Sequence, residues 1–165
     1  MTYDKKGTLN EDKINTLLYK VIDYFGIDDL TIIYEDMVED SVLDIKRNAI
    51  VINEKYKDNY IESAKCVVHE ARHAFQFFYI SLIDDERSKR WRECMGKYIR
   101  PSKDDVSGEY ELQEVEIDAY AFTKYFLQLE GIDVIHKNPD YEEIIIAYLR
   151  HNKKFYEECC STEKG

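Results

Sequence analysis

Apolar residues along the first third of the chain recur first at a helical and then at a strand-like period. Ile14, Leu17, Leu18, Val21, Ile22 and Phe25 repeat every three to four residues, which is one face of an amphipathic helix. Thr8-Leu9-Asn10-Glu11 ahead of them resembles a capping box with Thr8 or Asn10 as the cap, and Gly26 stands where the helix should stop. Leu30 to Tyr34 is short and β-branched, so it is predicted as a strand. Val42 to Lys46 and Ala49 to Asn53 flank Arg47-Asn48, a pattern that predicts two strands joined by a tight hairpin turn.

From Tyr60 to Ile83 the period becomes helical again, with Ala64, Val67, Val68, Ala71, Ala74, Phe75 and Phe78 at the apolar positions. Arg87 to Ile99 is weakly helical, and Arg100 to Gly108 is polar and reads as a loop. Glu111 to Leu129 has a strong helical period that stops at Gly131. Tyr141 to about Cys159 predicts a last helix, with Ile144, Ile145, Tyr148, Leu149 and Phe155 on its apolar side and a frayed polar tail beyond. The expected fold class is α+β: a small antiparallel sheet packed on helices, in one domain spanning residues 1–165.

Composition narrows the function classes. The net charge of −11 opposes binding to nucleic-acid phosphates and to anionic membrane surfaces. No apolar run approaches a membrane span, and Met1 to Gly7 lacks the apolar core of an export signal. The expectation is a cytoplasmic protein whose four cysteines, Cys66, Cys94, Cys159 and Cys160, are reduced thiols.

The stretch with the most chemistry is His69-Glu70-Ala71-Arg72-His73, inside the predicted helix 60–83. Histidines four apart project from one helix face and can reach one zinc ion. The intervening Glu70 is then placed as general base toward a water activated at that ion. A catalytic zinc needs a third protein ligand. A metzincin would supply it six residues after His73, following a glycine; those positions are Tyr79 and Gln76, which excludes that class. The acidic stretch Glu114-Val115-Glu116-Ile117-Asp118, on the next strong helix, is the better source. Glu116 is preferred because the small Ala119 three residues on allows close helix approach, and Glu114 is the fallback. Asp118 is a candidate partner for a histidine ring N–H. Tyr110 is the candidate donor to developing oxyanion charge, ahead of Arg72 and Tyr120. The ligand types leave iron, manganese or nickel open beside zinc.

His69-Glu70-x-x-His73-x-x-Gln76, followed by Tyr110-x-x-Gln113-x-x-Glu116-x-Asp118-Ala119-x-x-Phe122, resembles the small gluzincin-type zinc peptidases, the minigluzincin and ImmA/IrrE-like group. The resemblance implies a zincin-like fold, with the sheet packed on an active-site helix and a second ligand-bearing helix. It also implies Glu116 as the third ligand, and Ala49 to Asn53 as the edge strand that pairs with an extended peptide substrate. The function expected is zinc-dependent hydrolysis of a peptide or protein substrate. The alternatives are an ImmA-like regulatory protease acting on one partner protein, and a metal-binding interaction domain without turnover.

The remaining polar landmarks carry blander expectations. Cys66 is expected as a small core residue, Trp91 as a packing anchor rather than a lid, and His136 and His151 as surface or core histidines.

Overall fold

In a computed structural model of the chain, residues 5–100 and 109–159 are described, with side chains from 10 to 100 and from 109 to 158. Among the described residues, five helices and a three-stranded sheet make an α+β fold: α1 (Lys5–Phe25), β1 (Thr31–Glu35), β2 (Ser41–Asp44), β3 (Ala49–Asn53), α2 (Tyr60–Leu82), α3 (Glu86–Gly96), α4 (Glu114–Leu129) and α5 (Pro139–Cys159), with a 3-10 turn over Glu54–Tyr56. Two compact units divide the chain, 1–71 and 72–165, and the division falls within the unbroken helix α2.

In the first unit α1 buries Ile14, Leu17, Leu18, Val21, Ile22 and Phe25, the residues whose spacing predicted it. The expected cap is wrong, because the helix already runs through Thr8 and Asn10. The Asn10 amide is spent elsewhere, donating to the Lys57 carbonyl at 2.7 Å. Gly26 ends the helix at φ 65°, where its N–H reaches the Ile22 carbonyl and no Cβ opposes the left-handed turn.

The hairpin forms between β2 and β3, with Asp44 opposite Ala49 and Ser41 opposite Ile52. Its turn is four residues rather than two, Ile45 to Asn48, with Asn48 at φ 48°. Arg47 braces it, its guanidinium bonding Asp44 at 2.7 Å and Glu35 at 2.6 Å.

Two expectations about the sheet are corrected. The sheet is mixed, because β1 runs parallel to β3 while β2 runs antiparallel to it. The strand order β1-β3-β2 places Ala49–Asn53 in the centre, so it is not the edge available to a substrate. The reason lies in its composition. Ala-Ile-Val-Ile-Asn is buried at all five positions, as a strand covered on both faces must be, whereas β2 is only half-buried and takes an edge.

In the second unit α4 packs against α5 and α3. Gln113 is the first residue outside α4, three residues later than predicted, and Gly131 at φ 79° follows its end. An Asp85–Ser88 capping box starts α3. The expected Trp91 anchor is fully buried, edge-on to Tyr79 at 5.4 Å and to Phe155 at 6.4 Å between ring centres. The loop predicted over 100–108 and the polar tail fall, except for Arg100, outside the described residues, as do the Cys159 side chain and Cys160. Cys66 and Cys94 are free thiols. No helix among the described residues is long and apolar enough to cross a membrane.

Candidate metal centre

Helix α2 carries His69 and His73 one turn apart, and α4 carries Glu116 in its first turn. Ligand atoms of these three side chains lie within 4.8 Å of one another, so the group could hold a metal ion. The preferred carboxylate is the one that joins the histidines. Glu116 is fully buried, with Oε1 at 3.1 Å from His73 Nε2. The fallback Glu114 lies two residues earlier, about 200° round the helix. It pairs instead with Arg90 at 3.3 Å and accepts from the Tyr148 hydroxyl at 3.3 Å.

The neighbours of His73 decide its chemistry. Its Nδ1 is 2.9 Å from Gln76 Oε1, one turn along the helix. Gln76 is itself fully buried, and its Nε2 donates to the Val115 carbonyl at 2.9 Å and to Asp118 Oδ2 at 2.8 Å. An end of an amide that faces two acceptors must be the NH₂ end. The other end is therefore oxygen, an acceptor set against His73 Nδ1. An imidazole nitrogen facing a carboxylate oxygen at 3.1 Å calls for a cation or a proton between them. Two imidazoles and a carboxylate are also a donor set that zinc accepts.

Asp118 was expected to hold a histidine N–H directly; it does so one step removed, through Gln76. Its own oxygens are engaged on all sides. Arg72 Nε reaches Oδ2 at 2.7 Å and Arg72 Nη2 reaches Oδ1 at 3.1 Å. The Tyr156 hydroxyl donates to Oδ1 at 2.9 Å, and burial raises its pKa well above the ordinary phenol range, so it stays a donor. Arg72 is fully buried, its guanidinium lying over the rings of Phe75, Phe122 and Tyr156 at 4.6–4.9 Å. As a candidate oxyanion donor Arg72 is corrected: its forked face is committed to Asp118 and aromatic rings enclose it.

Glu70 is buried, and the Ser41 hydroxyl on strand β2 donates to its Oε1 at 2.9 Å. Cys66, one turn before Glu70, is buried in the core as expected, and burial pushes its thiol up to about 12. It is not one of the three grouped ligands.

The hydroxyl beside the ligand carboxylate belongs to Tyr98, which donates to Glu116 Oε1 at 2.6 Å. Tyr110 is hydrogen-bonded to Tyr98, with ring centres 6.1 Å apart and edge-on. Burial, with the Glu116 charge adding to it, raises the Tyr110 pKa and keeps it a phenol. Gln113 anchors the Tyr98 segment by closing both backbone groups of Ile99, accepting from its N–H at 2.8 Å and donating to its carbonyl at 2.9 Å. Tyr120 packs edge-on against His136 and Tyr141, at 5.4 and 5.5 Å between ring centres, and His151 is exposed.

Sequence reasoning missed the supports Ser41, Tyr98 and Tyr156. Gln76 had a legible signal, a three-residue spacing from His73 that brings the two together on a helix. Tyr98 and Ser41 had none, because their contacts are set by tertiary proximity.

If the group holds a divalent ion, Tyr98→Phe is expected to weaken its binding roughly 10- to 100-fold, since the Glu116 carboxylate loses its charge-assisted donor. Competition titration against a chromogenic chelator checks this, and an unchanged affinity would remove Tyr98 from the site.

Comparison with protein-family models, with curated proteins and with solved structures returned no match.

Proposed function

We propose that the chain is a zinc-dependent peptidase of gluzincin type, hydrolysing a peptide or protein substrate. The observation that carries the reading is the grouping of His69, His73 and Glu116 within 4.8 Å, with Glu70 following the first histidine on the same helix. An ion held there would supply Lewis acidity toward a scissile carbonyl and a water acidic enough to lose a proton near neutrality.

The rest follows from the chain's own side chains. Glu70, oriented by Ser41, accepts the water's proton on Oε2 and returns it to the leaving amine. Gln76 and Tyr98 hold a histidine and the glutamate in place. The Tyr110 hydroxyl, on giving up its bond to Tyr98, is the donor toward developing oxyanion charge. With β3 central, the strand that could receive an extended peptide is β2, whose Ser41 also touches Glu70. The same proposal includes the likeness to the minigluzincin and ImmA/IrrE-like group, a zincin-like fold, and action in the cytoplasm.

Elemental analysis tests the metal centre. One equivalent of zinc is expected for the purified protein and for Glu114→Ala, and well under a tenth of that for His69→Ala, His73→Ala and Glu116→Ala. Equal zinc in all five proteins would mean that the metal sits elsewhere or is adventitious, and the reading would fail.

A further inference from the structure

We infer that Gln76 is a positioning residue that fixes His73 as its Nδ1–H tautomer, through an amide whose own orientation is locked by the Val115 carbonyl and the buried Arg72–Asp118 pair. The inference rests on the metal-centre reading for its purpose, but its geometry stands without it. A free imidazole has two neutral tautomers, and only one presents the Nε2 lone pair to Glu116. Nothing in the His69-Glu70-x-x-His73 spacing selects between them. The selection comes from three consecutive constraints.

Arg72 grips Asp118 with two N–H groups, which fixes the plane of that carboxylate. Oδ2 of that carboxylate and the Val115 carbonyl then face the same nitrogen of Gln76. A reversed amide would put its oxygen against two acceptors in a site with no exposure to water, and such an unsatisfied buried contact is strongly disfavoured. The amide oxygen therefore points to His73 Nδ1, at 2.9 Å, and demands a proton there.

Gln76 suits this task better than the carboxylate often found behind a metal-bound histidine. It delivers an acceptor to the ring while its other end stays neutral and donates twice. A carboxylate there would set a second negative charge against Asp118. The arrangement passes the orientation of a fully buried ion pair to an imidazole that is 13% exposed, so the ligand is set before any ion arrives.

Nitrogen-detected NMR reads the tautomer directly in zinc-free protein at mildly alkaline pH. The four histidines can be assigned by single substitution. Wild-type His73 is expected to carry a proton on Nδ1, whether or not the proton that faces Glu116 also sits on the ring. Gln76→Met, which keeps length and volume but offers no acceptor, is expected to release the ring to a mixture or to the Nε2–H form. It should also weaken zinc binding roughly 10- to 100-fold in a chelator competition.

A wild-type His73 found as Nε2–H overturns the inference without any variant, so a misfolded Gln76→Met does not shield it. A tautomer or zinc affinity unmoved by Gln76→Met in folded protein overturns it as well. If the tautomer shifts as stated but wild type takes up no zinc, the positioning role stands and the peptidase reading is what fails.

Discussion

Glu70→Gln is expected to lower peptide hydrolysis by roughly 10²- to 10⁴-fold while zinc content stays at one equivalent. The substitution is nearly isosteric. The amide oxygen can still accept the hydrogen bond from Ser41, so the side chain should keep its place beside His69. What it loses is the ability to take a proton at Oε2. The two readouts therefore separate chemistry from binding. A fluorogenic peptide library with single-turnover rates measures the first, and elemental analysis the second. Hydrolysis that continues at the wild-type rate would remove Glu70 as the base and sink the mechanism. A protein that holds zinc but cleaves nothing, with or without the substitution, would favour the interaction-domain alternative.

The second large effect falls on stability. Arg72→Met leaves Asp118 buried with a negative charge whose main partner is gone, and such a broken buried pair costs about 3–5 kcal/mol. For a chain of this size that corresponds to a fall in Tm of about 6–20 °C. The aromatic rings around the guanidinium add to the loss, since they also lose their cation. Replacing both partners, Arg72→Met with Asp118→Leu, is expected to recover much of the deficit, because no uncompensated charge then remains. Thermal unfolding followed by circular dichroism compares the two. A single substitution that shifts Tm by only a degree or two, or a double one worse than the single, would show that the pair is not what holds this core. The double variant should still bind zinc weakly, since Gln76 loses one of the two acceptors that orient its amide.

These effects start from features of unequal visibility. Helix α2 was legible because Val67, Val68, Ala71 and Phe75 repeat at the helical period and are all buried. The β2–β3 hairpin was legible because its partners are neighbours in the chain. The parallel pairing of β1 with β3 was not, since the partner strand lies beyond another strand and no local pattern names it. The first helix shows the same limit at smaller scale. Asn10 has the chemistry of a cap, yet its amide is claimed by Lys57, far along the chain.

Residue spacing alone brings His69, Glu70 and His73 onto one turn-to-turn stretch of helix, because side-chain direction on a helix is a local property of the backbone. It also puts an acidic stretch on a later helix and makes Gln76 a neighbour of His73. Which acid completes the group was not local. Glu114 and Glu116 differ only in the side of α4 they occupy, and that side is chosen by how α4 packs. Packing likewise turned Arg72 from a candidate donor into the buried partner of Asp118, moved β3 from the edge of the sheet to its centre, and put the Tyr98 hydroxyl on the Glu116 carboxylate. Periodicity records what each segment does with its own neighbours. Burial and hydrogen bonding between distant segments follow from three-dimensional proximity, which no single stretch of residues encodes.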